Sequence, residues 1–297
     1  MTIATANFAE LLEPGLREIF GMSYNEWPQE YSKIFDIRTS TKQTEHTLSM
    51  AGFGLVPVKP QGQSISYQDP IQGYKQSLTH VTYGLGFVVT REMYEDDQYN
   101  EMRALPRALA MSGTQTVETI AANILNRAFN TSYTGRDSKV LCATDHPLEN
   151  GGTLKNRPTT NADLSITSFE QAMIDIGDFV NGAGLKIAAM PKTLIVTTSN
   201  ERTAKEILQS DLTPETANNA INVYKNAVGW TINHYLTDPD AWFIQTNVPE
   251  GLVFYWRRKP DFARDNDTDS QNAKFLQTFR FICGWDDFRN IYGSAGA

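Results

Sequence analysis

The alternation of apolar and polar residues along the chain is strongest between positions 79 and 90. Apolar or aromatic side chains stand at every second position there: Val81, Tyr83, Leu85, Phe87 and Val89. A period of two over this length predicts a β-strand. Together with a shorter strand at 64–67, it predicts a long two-stranded hairpin within residues 46–90. Such a hairpin is only marginally stable alone in water, so it needs a neighbour to pack against.

A helical period follows the predicted hairpin. Apolar residues spaced three, four or eight positions apart lie on one helical face: Leu109, Val117, Ile120, Ile124 and Ala128. This spacing predicts a helix over 106–129, about 36 Å long at 1.5 Å per residue. Pro106 either begins that helix or kinks it against an earlier helical stretch over 92–104.

Residues 1–45 show no long periodic segment. Thr5 or Asn7 is placed to cap a short helix through Leu11, and a second short helix is predicted over 25–31. We therefore expect this segment to be an arm that finds its packing partners elsewhere.

The remainder of the chain mixes helices and strands. A loop over 130–166 precedes two sequence patterns typical of capping boxes, Thr167 with Glu170 and Thr198 with Glu201, and the first helix should end near Gly182. Strands are predicted at 192–198, 230–236, 241–246, 251–257 and 274–283. There is no sequence repeat, and the irregular order of elements predicts an α+β fold.

Composition narrows the class of protein. The 297 residues include 15 Phe, 12 Tyr and 5 Trp, which is too much aromatic mass for a disordered chain. The net charge of −8 argues against nucleic-acid binding as the main task. We expect a soluble protein made inside the cell, because no apolar stretch is long enough for a membrane span and the first residues lack a secretory signal. Two widely separated cysteines fit a reducing compartment.

The residues from Cys142 to Pro147 are the most enzyme-like segment. Cys142 could serve as a nucleophile and Asp145 could orient His146, as in a hydrolase. Neighbouring residues of an extended chain point to opposite faces, however, so these groups need not converge. We favour a turn capped by Asp145 ahead of Pro147 and keep the hydrolase as an alternative.

Other candidate sites are weaker. Residues 265–270 resemble the first half of a calcium loop, but Ser270 stands where glycine is needed and Leu276 where a glutamate is needed. Gly84 and Gly86 lack the third glycine of a dinucleotide fingerprint. The basic run 257–259 is interpreted as a solvated or subunit-contact patch. No catalytic, cofactor or metal site is predicted.

The order of these parts resembles the major capsid proteins of tailed bacteriophages with the Hong Kong 97-type fold, and most closely the Mu-like major head subunit family. The resemblance extends over essentially the whole chain. It depends on four segments: 141–148, 193–196 followed by a helix, 238–243, and 281–291 with its Cys283-Gly284-Trp285.

The resemblance implies a domain organisation. An N-terminal arm would occupy 1–45, an extended loop called the E-loop hairpin 46–90, a peripheral domain with a long spine helix 91–164, an axial domain 165–248, and a return to the peripheral domain 249–297. It also implies contacts between subunits, for which we expect Lys59, Tyr67, Tyr74, Lys75, Arg257 and Arg258. A covalent cross-link from Lys59 or Lys75 to Asn272 or Asn290 has too weak a motif to be carried over.

The implied function is structural. Copies of the chain would form hexamers and pentamers of an icosahedral shell around double-stranded DNA, held without sequence specificity. Scaffolding is expected from a separate protein, because Met1 leads directly into the arm. A portal and a decoration or cement protein are further implied partners, with synthesis in the host bacterial cytoplasm and residence in the virion. The alternative within this fold is an encapsulin-type cellular compartment around a protein cargo, whose subunits usually begin with a helix rather than an arm.

Overall fold

Helices and strands are interleaved irregularly in the computed structural model, which describes residues 8–69, 71–90, 92, 96, 99–212, 220–266 and 272–297. The helices are α1 (Phe8–Glu26), α2 (Tyr31–Ile34), α3 (Tyr99–Asn126), α4 (Ile166–Gly177) and α5 (Glu201–Leu208), with a 3-10 turn at Phe288–Asn290. The strands are β1 (Asp36–Thr39), β2 (Thr44–Met50), β3 (Gln72–Thr79), β4 (Val81–Val89), β5 (His146–Pro147), β6 (Thr153–Leu154), β7 (Pro191–Val196), β8 (Gly229–Ile232), β9 (Trp242–Thr246), β10 (Leu252–Asn266), β11 (Ala273–Trp285) and β12 (Ile291–Ser294). The α+β class is confirmed.

Two four-stranded sheets organise these elements. The first has the strand order β1-β10-β11-β4, with β1 parallel to β10 and the other pairs antiparallel. The second has the order β12-β9-β7-β8, with only β7 and β8 parallel among its described pairs. Strands β2 and β3 pair as a separate antiparallel ribbon, and β5 pairs with β6.

A hairpin lies in this part of the chain, but the predicted pairing of its strands is wrong. Strand β2 pairs with β3, from Thr44 opposite Thr79 to Met50 opposite Gln72. Residues 64–67 are not a strand, and 51–69 carry no helix or strand. The alternating run is the strand β4, as predicted, yet it pairs with β11 of the first sheet. Alternation is a local signal and does not identify a partner almost 200 residues away.

The long helix α3 begins at Tyr99, so Pro106 lies inside it rather than at its start. The predicted face is confirmed over the helix, since Leu109 and Val117 are buried, whereas Ala128 is buried in the turn that follows the end of the helix at Asn126. The earlier helical stretch over 92–104 can be compared only from Tyr99 onward, because 93–95 and 97–98 lie outside the described residues.

The N-terminal segment is more helical than predicted. Helix α1 runs to Glu26, and its Leu16 and Phe20 are buried in one cluster with Leu109 and Phe275. The arm therefore packs on its own chain. Leu16, Phe20 and Tyr24 stand four residues apart, which is a helical spacing. Pro14 and Gly21 interrupt this pattern in the sequence. The cap expected at Thr5 or Asn7 lies outside the described residues.

Both predicted capping boxes are wrong. Helix α4 is capped by Ser165, which accepts a hydrogen bond from the Ser168 backbone N–H at 3.1 Å, two residues earlier than predicted. Helix α5 has Asn200 at its N-cap without a side-chain hydrogen bond. Helix α4 also ends earlier than predicted, at Gly177.

Strand β7 of the second sheet is buried on both faces. Leu194 and Val196 of β7 lie in a cluster with residues of α4 and α5, whereas Ile195 lies in the cluster that contains Val117 of α3. A continuous apolar run suits a strand covered on both sides. The sequence predicted this strand correctly, whereas it missed β1, β2, β3, β5, β6 and β12.

Candidate assembly surface

The enzyme-like segment does not form a catalytic arrangement. Cys142 is fully buried in the main core cluster, and burial raises the pKa of its thiol. Asp145 is exposed and paired with Lys139 instead of orienting His146. The expected turn cap at Asp145 is wrong as well, because His146 and Pro147 form the short strand β5. A buried neutral thiol is a poor nucleophile.

His146 is fully engaged by other groups. Its Nδ1 lies 2.5 Å from the Asp137 carboxylate, its Nε2 lies 3.1 Å from Asn156 Oδ1, and its ring stacks on Phe288 at 3.7 Å between centroids. Neither ring nitrogen is left to accept a proton from a substrate. This histidine orders the loop over 130–166 and has no free nitrogen for general-base catalysis.

The side chain of Asn156 makes several hydrogen bonds that hold that loop in place. Its Oδ1 accepts the Ala143 backbone N–H at 2.8 Å, and its Nδ2 lies within 3.1 Å of the backbone carbonyls of Leu141, Phe288 and Ile291. The side chain is completely buried. One residue thus joins the irregular loop to the C-terminal segment that ends in β12.

The described part of the chain contains no candidate metal site. No group of three or more His, Cys, Asp or Glu side chains there could hold an ion. Of the calcium-like run 265–270, Asp265 and Asn266 belong to strand β10, and 267–270 lie outside the described residues.

The most unusual surface is the loop over 51–69 between β2 and β3, here called the hairpin loop. Val56, Val58 and Tyr67 are 93%, 92% and 94% exposed, and Leu55 is exposed to a similar extent. Further exposed apolar side chains lie along it and beside it: Leu48, Met50, Phe53, Ile65 and Ile71. Concentrated apolar exposure of this kind marks interaction sites on folded proteins.

The base of the hairpin loop is fixed to the rest of the chain. The Ala51 backbone N–H donates to the Ile71 carbonyl at 2.9 Å, and Ser49 Oγ donates to Glu149 at 3.1 Å. Gly73 is required beside them, because a Cβ there would lie 2.2 Å from Ser49 Oγ. The loop thus projects from a defined base while its apolar side chains face solvent.

The expected contact residues fall in two places. Lys59 and Tyr67 lie in the hairpin loop, and Tyr74 and Lys75 lie on β3, the strand that leads away from it. Arg257 and Arg258 lie on β10 in the first sheet. Their roles as contacts remain predictions. Asn290, one of the imagined cross-link partners, is buried with its Nδ2 donating to the Val248 carbonyl at 2.7 Å.

Sequence reasoning named Tyr67 of the loop but missed several other exposed apolar residues. Phe53, Leu55, Val56 and Val58 would ordinarily be assigned to a core. A usable signal was present, because Gly52, Gly54, Pro57 and Pro60 interrupt this apolar run and prevent a regular strand.

The fold is similar to those of solved shell structures. A virus-like particle from Pyrococcus furiosus has a TM-score of 0.54 at 11% identity, over 94% of this chain and 97% of that one. The procapsid of bacteriophage JBD30 has a TM-score of 0.52 at 15% identity, over 96% and 74% of the two chains. The JBD30 capsid reaches 0.55 at 16% identity, over 71% and 92%. These likenesses confirm the Hong Kong 97-type fold.

None of the described helices is long and apolar enough to cross a membrane.

Sequence comparisons supply the family. The comparison with curated proteins finds no match, and the Mu-like subfamily stays a prediction. A family model for phage capsid proteins, however, matches residues 73–294, which include both sheets except β1. The chain belongs to the phage capsid protein family and is a subunit of a virion shell built from copies of itself.

Proposed function

We propose that this capsid protein forms hexamers and pentamers of an icosahedral shell around double-stranded DNA, and that the hairpin loop is a principal contact between copies. The observation that carries the proposal is the exposure of Leu55, Val56, Val58 and Tyr67 on a loop with a fixed base. Burying one such apolar side chain contributes about 1.5–3 kcal/mol. Each copy in a closed shell has several neighbours that could cover the loop.

The division into domains is part of the proposal. The core cluster around Phe169, Leu194 and Trp242 draws its members from residues 164–248 and from Tyr292, which supports an axial domain over 165–248. Strand β12 pairs with β9, so we assign the last strand to that domain rather than to the peripheral one. The first sheet with α1 and α3 would form the peripheral domain.

The remaining partners are proposed from the family resemblance alone. They are packaged DNA held without sequence specificity, a scaffolding protein, a portal and a decoration or cement protein. Synthesis in the host bacterial cytoplasm belongs with them. We propose no catalytic role, because Cys142 is inaccessible and both nitrogens of His146 are engaged.

A cellular compartment around a protein cargo is the second candidate. The likeness to the Pyrococcus furiosus virus-like particle, which covers 97% of that chain, favours it. The expected difference at the N-terminus does not count against it, since helix α1 occupies the segment expected to be an arm. The phage capsid family match favours the first candidate. The contents of purified particles, DNA or protein, distinguish the two.

A paired substitution tests the role of the loop. Val56→Asp should block formation of particles in negative-stain images and light scattering, because the loop then carries a charge that a neighbour must desolvate. Val223→Asp is the matched control, since Val223 is 77% exposed and lies outside the loop. Circular dichroism should show both variants folded. Normal particles from Val56→Asp would contradict the assigned contact.

A further inference from the structure

Three arginines line one cleft on the first sheet. The cleft has a volume of about 390 Å³ and is lined by Ser40, Thr41, Thr82, Arg257, Arg258 and Arg280. We call it the arginine cleft. Its residues come from β4, β10 and β11, three strands of the sheet, and from the segment that follows β1.

An irregularity in β10 brings two consecutive arginines to this cleft. Trp256 lies opposite Phe281 and Arg258 lies opposite Arg280, so β10 advances two residues while β11 advances one. Arg257 is the extra residue of this bulge. Consecutive side chains of a regular strand point to opposite faces. The bulge removes that constraint, and bulges of this kind re-aim side chains beside functional sites.

The strand register also places like charges side by side. Arg258 is the direct cross-strand neighbour of Arg280, which in turn lies opposite Thr82. Like charges directly opposite one another destabilise a sheet. An anion between the two guanidinium groups would reverse the sign of that interaction.

The described residues supply little counter-charge. Arg257 Nη1 and Arg280 Nε are buried and have no hydrogen-bond partner among the described residues, and Arg280 Nη2 has only a long contact of 3.4 Å with the His80 carbonyl. Glu45 is the nearby carboxylate, bound to Ser40 Oγ and 3.9 Å from His80 Nε2. Burial lowers the pKa of His80, Glu45 opposes this, and Arg280 and Arg257 lower it further.

We propose that the arginine cleft binds a phosphate-type oxyanion. Guanidinium groups match phosphate oxygens bidentately, and the hydroxyls of Ser40, Thr41 and Thr82 add donors of a second kind. A carboxylate ligand would offer only two oxygens and a single charge, whereas a phosphate monoester carries about −1.5 to −2 charges near neutral pH. The larger charge favours a phosphate over a carboxylate in a cleft lined by three arginines. The anion would join β10, β11 and β4 next to His80, the residue that connects the hairpin strand β3 to the sheet.

The test uses the full-length protein in the assembly state in which it purifies. Calorimetric titration with inorganic phosphate in chloride buffer should show saturable binding that is stronger than binding of acetate. Arg258→Gln, at the exposed rim, and Arg280→Gln should each weaken it by about tenfold or more. Arg107→Gln is the control, because Arg107 is exposed and pairs with Glu26 at 3.0 Å, away from the cleft; it should leave the affinity unchanged.

Three outcomes would overturn the inference. They are no phosphate binding by the wild type, equal binding by wild type and both cleft variants, and binding of a short DNA duplex without binding of inorganic phosphate. Electron micrographs of the same samples record whether shells form. Shells without phosphate binding would overturn the arginine cleft alone, and phosphate binding without shells would overturn the proposed function alone.

Discussion

Glu118, in the middle of helix α3, accepts the backbone N–H of Tyr31 at 3.0 Å across 87 positions of sequence. Its other carboxylate oxygen accepts the Glu30 backbone N–H at 2.8 Å. The Glu30 side chain in turn accepts the His234 backbone N–H at 2.9 Å. Two carboxylates in sequence, those of Glu118 and Glu30, therefore join the long helix, the N-terminal segment and the segment after β8.

This junction makes stability depend on pH. Burial raises the pKa of Glu118 from 4.5 to about 7, although the two backbone N–H groups oppose the shift. A raised folded-state pKa favours the native state while the group is protonated, so the contribution of Glu118 to stability is fully present below about pH 4.5 and is lost as the pH rises through about 7. The full effect is roughly 3 kcal/mol.

Glu118→Gln tests this linkage, because glutamine does not titrate, although it keeps only one acceptor oxygen for the two backbone N–H groups. From pH 5 to pH 8 its urea midpoint should rise relative to that of the wild type, because only the wild type loses a stabilising protonated form over this range. Glu201→Gln is the control, since Glu201 is on the surface and pairs with Lys205. Equal losses of stability at both pH values would show that the two N–H groups hold Glu118 in its charged form.

Asn156→Ala should be among the most damaging single changes. It leaves the Ala143 N–H and the carbonyls of Leu141, Phe288 and Ile291 buried without their partner. Each net hydrogen bond contributes about 1 kcal/mol and each orphaned group costs more, so a loss of roughly 3 kcal/mol or more is expected in thermal unfolding. Asn130→Ala, at an exposed position with one local hydrogen bond, should change the midpoint little. Similar shifts for the two variants would contradict the central role of Asn156.

Two glycines should respond oppositely to alanine. A Cβ at Gly251 would lie 1.9 Å from Asn290 Cγ, and Asn290 is held in place by its bonds to the Val248 and Thr246 carbonyls. Gly251→Ala should therefore lower the free energy of unfolding by about 1–3 kcal/mol. Gly177→Ala meets nothing within 4 Å and should be neutral or slightly stabilising. Equal effects in denaturant titrations would show that the packing at Gly251 is looser than described.

Neither cysteine should react with a thiol reagent while the chain is folded. Burial raises the pKa of Cys283 to about 12 and shifts that of Cys142 in the same direction. Rapid labelling requires an accessible thiolate. Colorimetric titration should detect almost no free thiol at pH 8 and two thiols after denaturation. Rapid labelling of the native protein would reopen the hydrolase alternative at Cys142.

The sequence alone predicts the elements that are determined by the local spacing of apolar residues. The apolar face of α3 and the buried run of β7 follow from the spacing of residues such as Val117 and Leu194. The partner of β4 does not, because β11 is chosen by long-range packing of Phe275 and Phe281. The same limit explains the loop: hydrophobicity alone assigns Val56 to a core, whereas its side chain is exposed in the folded chain.

Electron cryomicroscopy of the full-length protein, expressed with its neighbouring phage genes, tests assembly most directly. We expect closed shells in which hexamers and pentamers are resolved and density from one subunit covers the hairpin loop of another, with Val56 buried. A monodisperse monomer or dimer at high concentration, or shells in which Val56 remains in solvent, would contradict the proposed assembly.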